Sequence, residues 1–283
     1  MPTALPVNLR RRPLLMAVLN VTPDSFSGDG CLNIEELLNR AEIAISGGAD
    51  ILDLGAESTR PGATPITPEE EWQRLAPALA AVRPLTTLPL SIDTRHSTVA
   101  RKAIDHGGTI INDISGGKHD PAILTVAAAA RCPIILTHNS VINTLEIGEQ
   151  WRAHGAKAHD NIIDSVFAGL AALRDTAVET GLDAADVWLD PGIGFGKNLS
   201  DTLTLLRHLT DLRRLGQRLV VGVSNKSFIG QLSGKPTAQR QGGTAAAVAL
   251  AVAAGADILR VHDVAFMRQA IDTAAAITYG LAS

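Results

Sequence analysis

Aromatic side chains are scarce in this chain of 283 residues: phenylalanine, tryptophan and tyrosine together make up 3% of it. A core must therefore be built from aliphatic residues and alanine, as in parallel sheets covered by helices. Cysteine is nearly absent. Cys31 and Cys132 stand far apart, which excludes a disulfide framework and fits a reducing compartment. No group of Cys or His residues has metal-ligand spacing. Positive charge is not in excess either, with a net charge of −4 and a pI near 6.1, which excludes the nucleic-acid-binding class. The short Arg10-Arg11-Arg12 cluster is expected to be solvated. Long apolar runs are missing: the stretch 14–19 is too short for a signal or a membrane span and leads straight into Asn20 and Pro23. A cytoplasmic protein with no membrane or nucleic-acid partner is expected.

What the chain does have is a regular alternation. Apolar, strand-like runs recur at 15–19, 51–54, 88–92, 109–111, 133–136, 187–189, 219–223 and 258–261. Segments of helical period lie between them. Thr67 and Glu70 form a capping box with Pro68 at the first helical position, and Asn33 and Glu36 repeat the pattern. Glycines close several helices just before a strand, among them Gly48, Gly107, Gly216 and Gly255. Gly48-Ala49-Asp50-Ile51-Leu52 and Gly255-Ala256-Asp257-Ile258-Leu259 are near copies, an internal echo of one helix-to-strand unit. Eight strands alternating with helices, without a linker-like gap, predict a single (β/α)8 TIM barrel domain over 1–283, with 1–13 as an N-terminal extension. The rival, an open doubly wound sheet, would carry a glycine-rich nucleotide turn after its first strand, and none is present. The stretch 139–151 is the least regular and reads as a long loop after the fifth strand.

A polar group follows almost every apolar run: Asn20, Glu57 and Ser58, Asp93, Asn112, His138, Asp190, Lys226 and His262. In a barrel these gather at the C-terminal face, where such folds keep their chemistry. Asp93, Asn112 and Asp190 suit a planar heterocycle, because carboxylate and amide groups match paired donors and acceptors on a ring edge. The bland alternative is that the two aspartates cap the helices that follow them. Arg260 and His262 are two apart on a strand and so share a side. They suit a phosphate-like anion, unless Arg260 pairs with a core carboxylate. Lys226 follows a buried strand at the start of a short helical segment; taken alone, it reads as a solvated loop lysine. Two loops rich in Ser, Gly and Pro each hold one large functional group, Phe26 as an aromatic wall and Arg60 as a phosphate clamp.

Seven motifs in order carry a resemblance: Leu19-Asn20-Val21-Thr22-Pro23-Asp24-Ser25-Phe26-Ser27, Glu57-Ser58-Thr59-Arg60-Pro61-Gly62-Ala63, Ser91-Ile92-Asp93-Thr94, Ile111-Asn112-Asp113-Ile114, Leu189-Asp190-Pro191-Gly192-Ile193-Gly194-Phe195-Gly196-Lys197, Lys226-Ser227-Phe228-Ile229-Gly230 and Arg260-Val261-His262-Asp263. Together they resemble the dihydropteroate synthases, folate-pathway transferases and sulfonamide targets. The resemblance implies condensation of 6-hydroxymethyl-7,8-dihydropterin diphosphate with 4-aminobenzoate, giving 7,8-dihydropteroate and pyrophosphate. It implies a pterin slot of Asp93, Asn112, Asp190 and Lys226, and a pyrophosphate pocket of Asn20, Arg60, Arg260 and His262. Mg²⁺ would sit at Asn20, and Asp93, Lys226, Arg260 and His262 would be the catalytic groups. The 4-aminobenzoate would lie against Phe26, Thr59, Pro61, Phe195, Lys226 and Ser227, and the assembly would be a homodimer. A non-catalytic pterin-binding paralogue and a methyltetrahydrofolate-binding methyltransferase barrel are the alternatives. The pattern departs from the family's at Asn225 (usually arginine), at Gly28-Asp29 (inverted) and at Thr137-His138-Asn139 (usually Met-His-Met), which bears on substrate affinity and inhibitor response.

Overall fold

The computed structural model describes residues 11–21, 33–57, 65–140 and 161–282. Eight strands occur among them: β1 (Leu14–Asn20), β2 (Ile51–Gly55), β3 (Leu90–Asp93), β4 (Ile110–Asp113), β5 (Ile134–Thr137), β6 (Val187–Asp190), β7 (Arg218–Val221) and β8 (Ile258–Val261). All pair in parallel, in sequence order, and β8 returns to β1 through Leu14↔Ile258 and Met16↔Arg260 to close the barrel. The TIM-barrel expectation is met.

Helices lie between the strands: α1 (Ile34–Ser46), α2 (Pro68–Val82), α3 (Ser97–Asp105), α4 (Ala122–Ala130), α5 (Ile162–Glu179), α6 (Leu199–Arg207), α7 (Leu209–Leu212), α8 (Ser227–Ser233), α9 (Gln241–Ala253) and α10 (Val264–Tyr279). The caps read from sequence are made. The Thr67 hydroxyl accepts from the Glu70 N–H at 3.2 Å, and Asn33 Oδ1 accepts from the Glu36 N–H at 3.0 Å. The first box is only half closed, since the Glu70 carboxylate turns to Arg74 instead of back to the cap.

Alternation along each strand sorts the core into two bodies. One residue set points outward and packs with the helices, as Leu52, Leu54, Ile92 and Leu259 do. The other points into the barrel, where Met16, Ile51, Ile110, Ile135, Trp188, Val220 and Ile258 form a separate buried cluster. Two residues further along the strands, the inward positions become polar: Asp53, Asn112, Asp190 and Arg260. The barrel is thus apolar in its lower interior and ionic at its mouth.

The opposite end is tied by the sequence echo. Asp50 accepts from the Leu15 N–H at 2.8 Å, and Asp257 accepts from the Leu219 N–H at 2.8 Å. Each carboxylate thereby clips the start of the strand it joins. Arg12 binds Asp50 and Arg11 binds Asp257, both at 2.7 Å. This corrects the expectation of a solvated arginine cluster for these two residues. Two carboxylates needing countercharge at the barrel floor draw the arginines in; Arg10 lies outside the described residues.

Candidate active site

Arg260 organises the barrel mouth. From β8 its guanidinium reaches Asp53 on β2 through Nε at 2.6 Å and Asp93 at the end of β3 through Nη2 at 2.7 Å. Asn112, on β4, donates to the Asp53 carboxylate at 3.2 Å. Four strands therefore meet in one network. Gly55 makes the room: a Cβ there would stand 3.1 Å from the Asp93 Cβ. Burial works against the Arg260 charge, but Asp53 and Asp93 outweigh it and raise its pKa. The Asp93 carboxyl is itself held above its ordinary value, by burial first and then by Asp53, Glu57 and Asp113, with Arg260 opposing. One guanidinium shared by two carboxylates leaves the site short of positive charge.

The core-carboxylate pairing left open for Arg260 is thus the observed one. It does not exhaust the side chain, because a guanidinium has five N–H donors. The capping alternative fails for both aspartates. The cap of α3 is His96, and the Ser97 N–H goes to Asp120 at 2.8 Å. Asn198 caps α6, while Asp190 accepts from the Gly192 N–H at 2.7 Å and shapes the turn just after β6.

Lys226 comes in from the other side. It is the cap residue of α8, and its ammonium donates to the Ile193 carbonyl and lies 4.3 Å above the Phe195 ring. Burial pushes its pKa down to about 8, with Asp190 pulling the other way. The solvated-loop reading of this lysine is overturned: the loop after β6 folds over it. Beside it, Asn225 adopts a left-handed φ of 59°, a conformation asparagine tolerates, and its N–H bonds Thr244 Oγ1 at 3.1 Å. Arg240 holds the Asn225 carbonyl from below at 2.9 Å.

His262 stands exposed just past β8, its Nδ1 3.0 Å from Ser224 Oγ. Asn20 ends β1 on the inward side, and Ser227 is the exposed first residue of α8. His138 is turned outward by the strand pleat, against Gly169 of α5. Phe26, Thr59, Arg60 and Pro61 lie outside the described residues, as does most of the stretch expected to be a long loop at 139–151. Two groups escaped the sequence reading. Asp53 is buried at the centre of the network; its signal was a lone charge inside an otherwise apolar strand. Arg95 forks onto Glu57 at 2.7 and 2.9 Å and fixes the end of β2.

Residues 16–262 match the family described as pterin binding enzyme. A dihydropteroate synthase of Synechocystis is 40% identical over 94% of this chain and 91% of its own length. Among solved structures, the dihydropteroate synthase of Clostridium difficile, crystallised with pteroic acid, has a TM-score of 0.87 at 33% identity and covers 96% of this chain and 98% of its own. That of Xanthomonas albilineans with 4-aminobenzoic acid has a TM-score of 0.85 at 37% identity, covering 94% and 93%. With fold, motif order and full-length similarity in agreement, the chain belongs to the pterin-binding enzymes, among the dihydropteroate synthases.

Proposed function

We propose that this barrel mouth joins 6-hydroxymethyl-7,8-dihydropterin diphosphate to 4-aminobenzoate, releasing pyrophosphate and 7,8-dihydropteroate. The observation that carries the reading is the placement of Lys226 over Phe195, across the mouth from the Arg260–Asp53–Asp93–Asn112 network. Asn112, Asp93 and the second oxygen of Asp190 line the pterin edge. Arg260, oriented by its two carboxylates, offers its remaining N–H groups to the diphosphate, with His262 and Asn20 beside it; Arg60, outside the described residues, is assigned to the same anion on its motif alone. An aromatic amine is neutral and nucleophilic at pH 7, so no general base is required. The work is stabilisation of the leaving diphosphate by fixed cations in a water-poor site. If the diphosphate leaves first, the pterin cation is countered by the Asp93 carboxylate. The aminobenzoate ring rests on Phe195, its carboxylate near Lys226 and Ser227; Phe26, Thr59 and Pro61, outside the described residues, are assigned to the same subsite on their motifs alone.

The donor set fits Mg²⁺ only in one way. No described cluster of three His, Cys, Asp or Glu side chains could cage a metal. The ion would take a single amide oxygen from Asn20 and its other ligands from the diphosphate and water, which is the habit of Mg²⁺. When bound it supplies charge neutralisation to the leaving group.

The surface supports a reading of the oligomeric state. The face shared by α9 and α10 is apolar and open, with Leu250 65% and Ile277 81% exposed and Phe266 on the same face. A second copy of the chain is its proposed occupant, in keeping with the homodimer implied by the family. No described helix is long and apolar enough to cross a membrane. Cys132 is buried, its thiol pushed up to about 11 by burial. The proposed location is the cytoplasm, on the chain's two widely separated cysteines.

Turnover with both substrates tests the reading. Lys226→Ala should lower kcat by about 10²-fold or more, and Lys226→Arg should rescue poorly because a planar fork does not replace a compact ammonium. Near-normal turnover in the alanine variant would remove Lys226 from the site.

A further inference from the structure

Lys197 is a buried cation with no part in the chemistry above. It lies just before α6, is 7% exposed, and has no carboxylate within ion-pair distance among the described residues. Its Nζ instead donates to the carbonyls of Gly192 at 3.0 Å, His138 at 3.1 Å and Phe195 at 3.2 Å, and lies 3.1 Å from His138 Nδ1. All four belong to the two segments that follow β5 and β6, which the lysine draws together. The approach is close. Gly192 has a φ of 67°, and a Cβ at that position would stand 2.0 Å from the His138 carbonyl oxygen. Only glycine fits there.

The segment fastened in this way, 192–196, is the one that holds Lys226. Its Ile193 carbonyl accepts from Lys226 Nζ, its Phe195 ring lies beneath the same ammonium, and a Cβ on Gly194 would touch Lys226 Cδ at 3.4 Å. Phe195 is bound at both ends: its ring faces Lys226, while its carbonyl is taken by Lys197. A shift of this loop relative to the barrel therefore moves the Lys226 ammonium with it.

We propose that Lys197 is a positioning residue for the reaction, locking the loop after β6 onto the end of β5 so that the Ile193 carbonyl and Phe195 ring set the place of the Lys226 ammonium. The inference rests on the assignment of Lys226 to the substrate site. Burial pushes the Lys197 pKa down to about 7, with Asp190 opposing. Amine and ammonium forms both keep donors for the carbonyls, so the fastening persists across neutral pH.

A double-mutant cycle on the full chain tests it: Lys197→Met, Lys226→Ala and the pair, each measured for kcat, for KM of both substrates and for thermal midpoint. Lys197→Met should lower kcat about 10- to 50-fold with the pterin diphosphate KM within about threefold, and in the Lys226→Ala background it should cost less than about twofold. A purely structural residue would cost the same factor in both backgrounds, and that result, or an unchanged kcat, overturns the proposal. Near-normal turnover of Lys226→Ala alone would mark the failure of the site assignment, and the proposal would fall with it. Should the methionine variant not fold, Lys197→Gln, which retains N–H donors, carries the same cycle. A chain that folds with neither side chain makes Lys197 a residue of the fold and overturns the proposal.

Discussion

Behind the barrel mouth, on α2, Glu71 is completely buried, and neither of its oxygens has a hydrogen-bond partner among the described residues. The nearest titratable partner is His96, whose Nε2 is 3.8 Å away and also unsatisfied. Burial raises the Glu71 pKa from 4.5 to about 8, with Glu57 and Asp93 adding to it and Arg95 and Thr94 opposing. Burial and the nearby Arg95 lower that of His96. Both groups are therefore neutral in the folded protein at pH 7. The folded chain keeps the Glu71 proton up to about pH 8. The unfolded chain releases it near 4.5 and binds fewer protons across that window, so stability falls as pH rises through it. The cost reaches at most on the order of 4 kcal/mol at pH 8. Glu71→Gln removes the titration and keeps the shape. Denaturant unfolding at pH 5.5 and pH 8 should show the variant gaining on the wild type as pH rises; a constant difference would mean that Glu71 is ionised in the fold. At this scale the sequence was legible where polar residues follow apolar runs, as at Asp93, Asn112 and Asp190. Asp53, Glu71 and Lys197 were not, because each has its function set by groups far away in the chain. Lys197 and His138 are 59 positions apart, and no local pattern joins them.

The elements were read well from periodicity and capping, with differences that have a clear cause. The seventh apolar run extends to Val223, yet β7 ends at Val221. Val223 is fully buried, so hydrophobicity continues past the point where the ladder has partners. Leu88 likewise leads into β3, which begins at Leu90. Hydrophobic runs report burial, and strand ends are set by pairing. The α9–α10 pair shows the converse, an apolar face without a partner among the described residues. Along α10, Phe266, Ala270, Thr273 and Ile277 follow helical spacing on the open side, and small residues Ala245, Ala249 and Ala253 flank them on α9. A face of this kind accepts close approach of a second copy. Ile277→Lys should convert a dimer to a monomer at micromolar concentration in sedimentation runs, while leaving helix content unchanged. A variant that remains dimeric would send the interface elsewhere.

Across the whole molecule, the two ends of the barrel have separate duties: at the C-terminal mouth one guanidinium is shared by two carboxylates, and at the N-terminal floor each carboxylate has its own arginine. Alternation of eight runs made the barrel legible; the purpose of the internal echo was not, because the echo shows two matching units without showing what they bind. In the structure both copies clip a strand start, but Asp257 does more. It holds Arg11 at 2.7 Å and Arg213, and its carbonyl accepts from the Leu14 N–H at 2.8 Å, so it stands at the seam where the last strand meets the first. Arg11 adds a contact with the Gly255 carbonyl at 3.1 Å and lies over the Tyr279 ring at 5.1 Å. Closing this seam joins residues 246 positions apart, a contact whose loop entropy must be offset by what forms there. Asp257→Asn keeps the shape and one acceptor but removes the charge that two guanidinium groups share, and should cost about 2 kcal/mol of stability. Asp50→Asn is the control: it likewise keeps an acceptor for its strand clip but removes the charge beside one close arginine in place of two, and should cost less. Because chemistry and closure lie at opposite ends, kcat at 25 °C should stay within about twofold in both variants. Equal stability losses would mean that the second arginine at Asp257 adds nothing. A fall in kcat with the fold intact would show that the floor and the mouth are mechanically coupled.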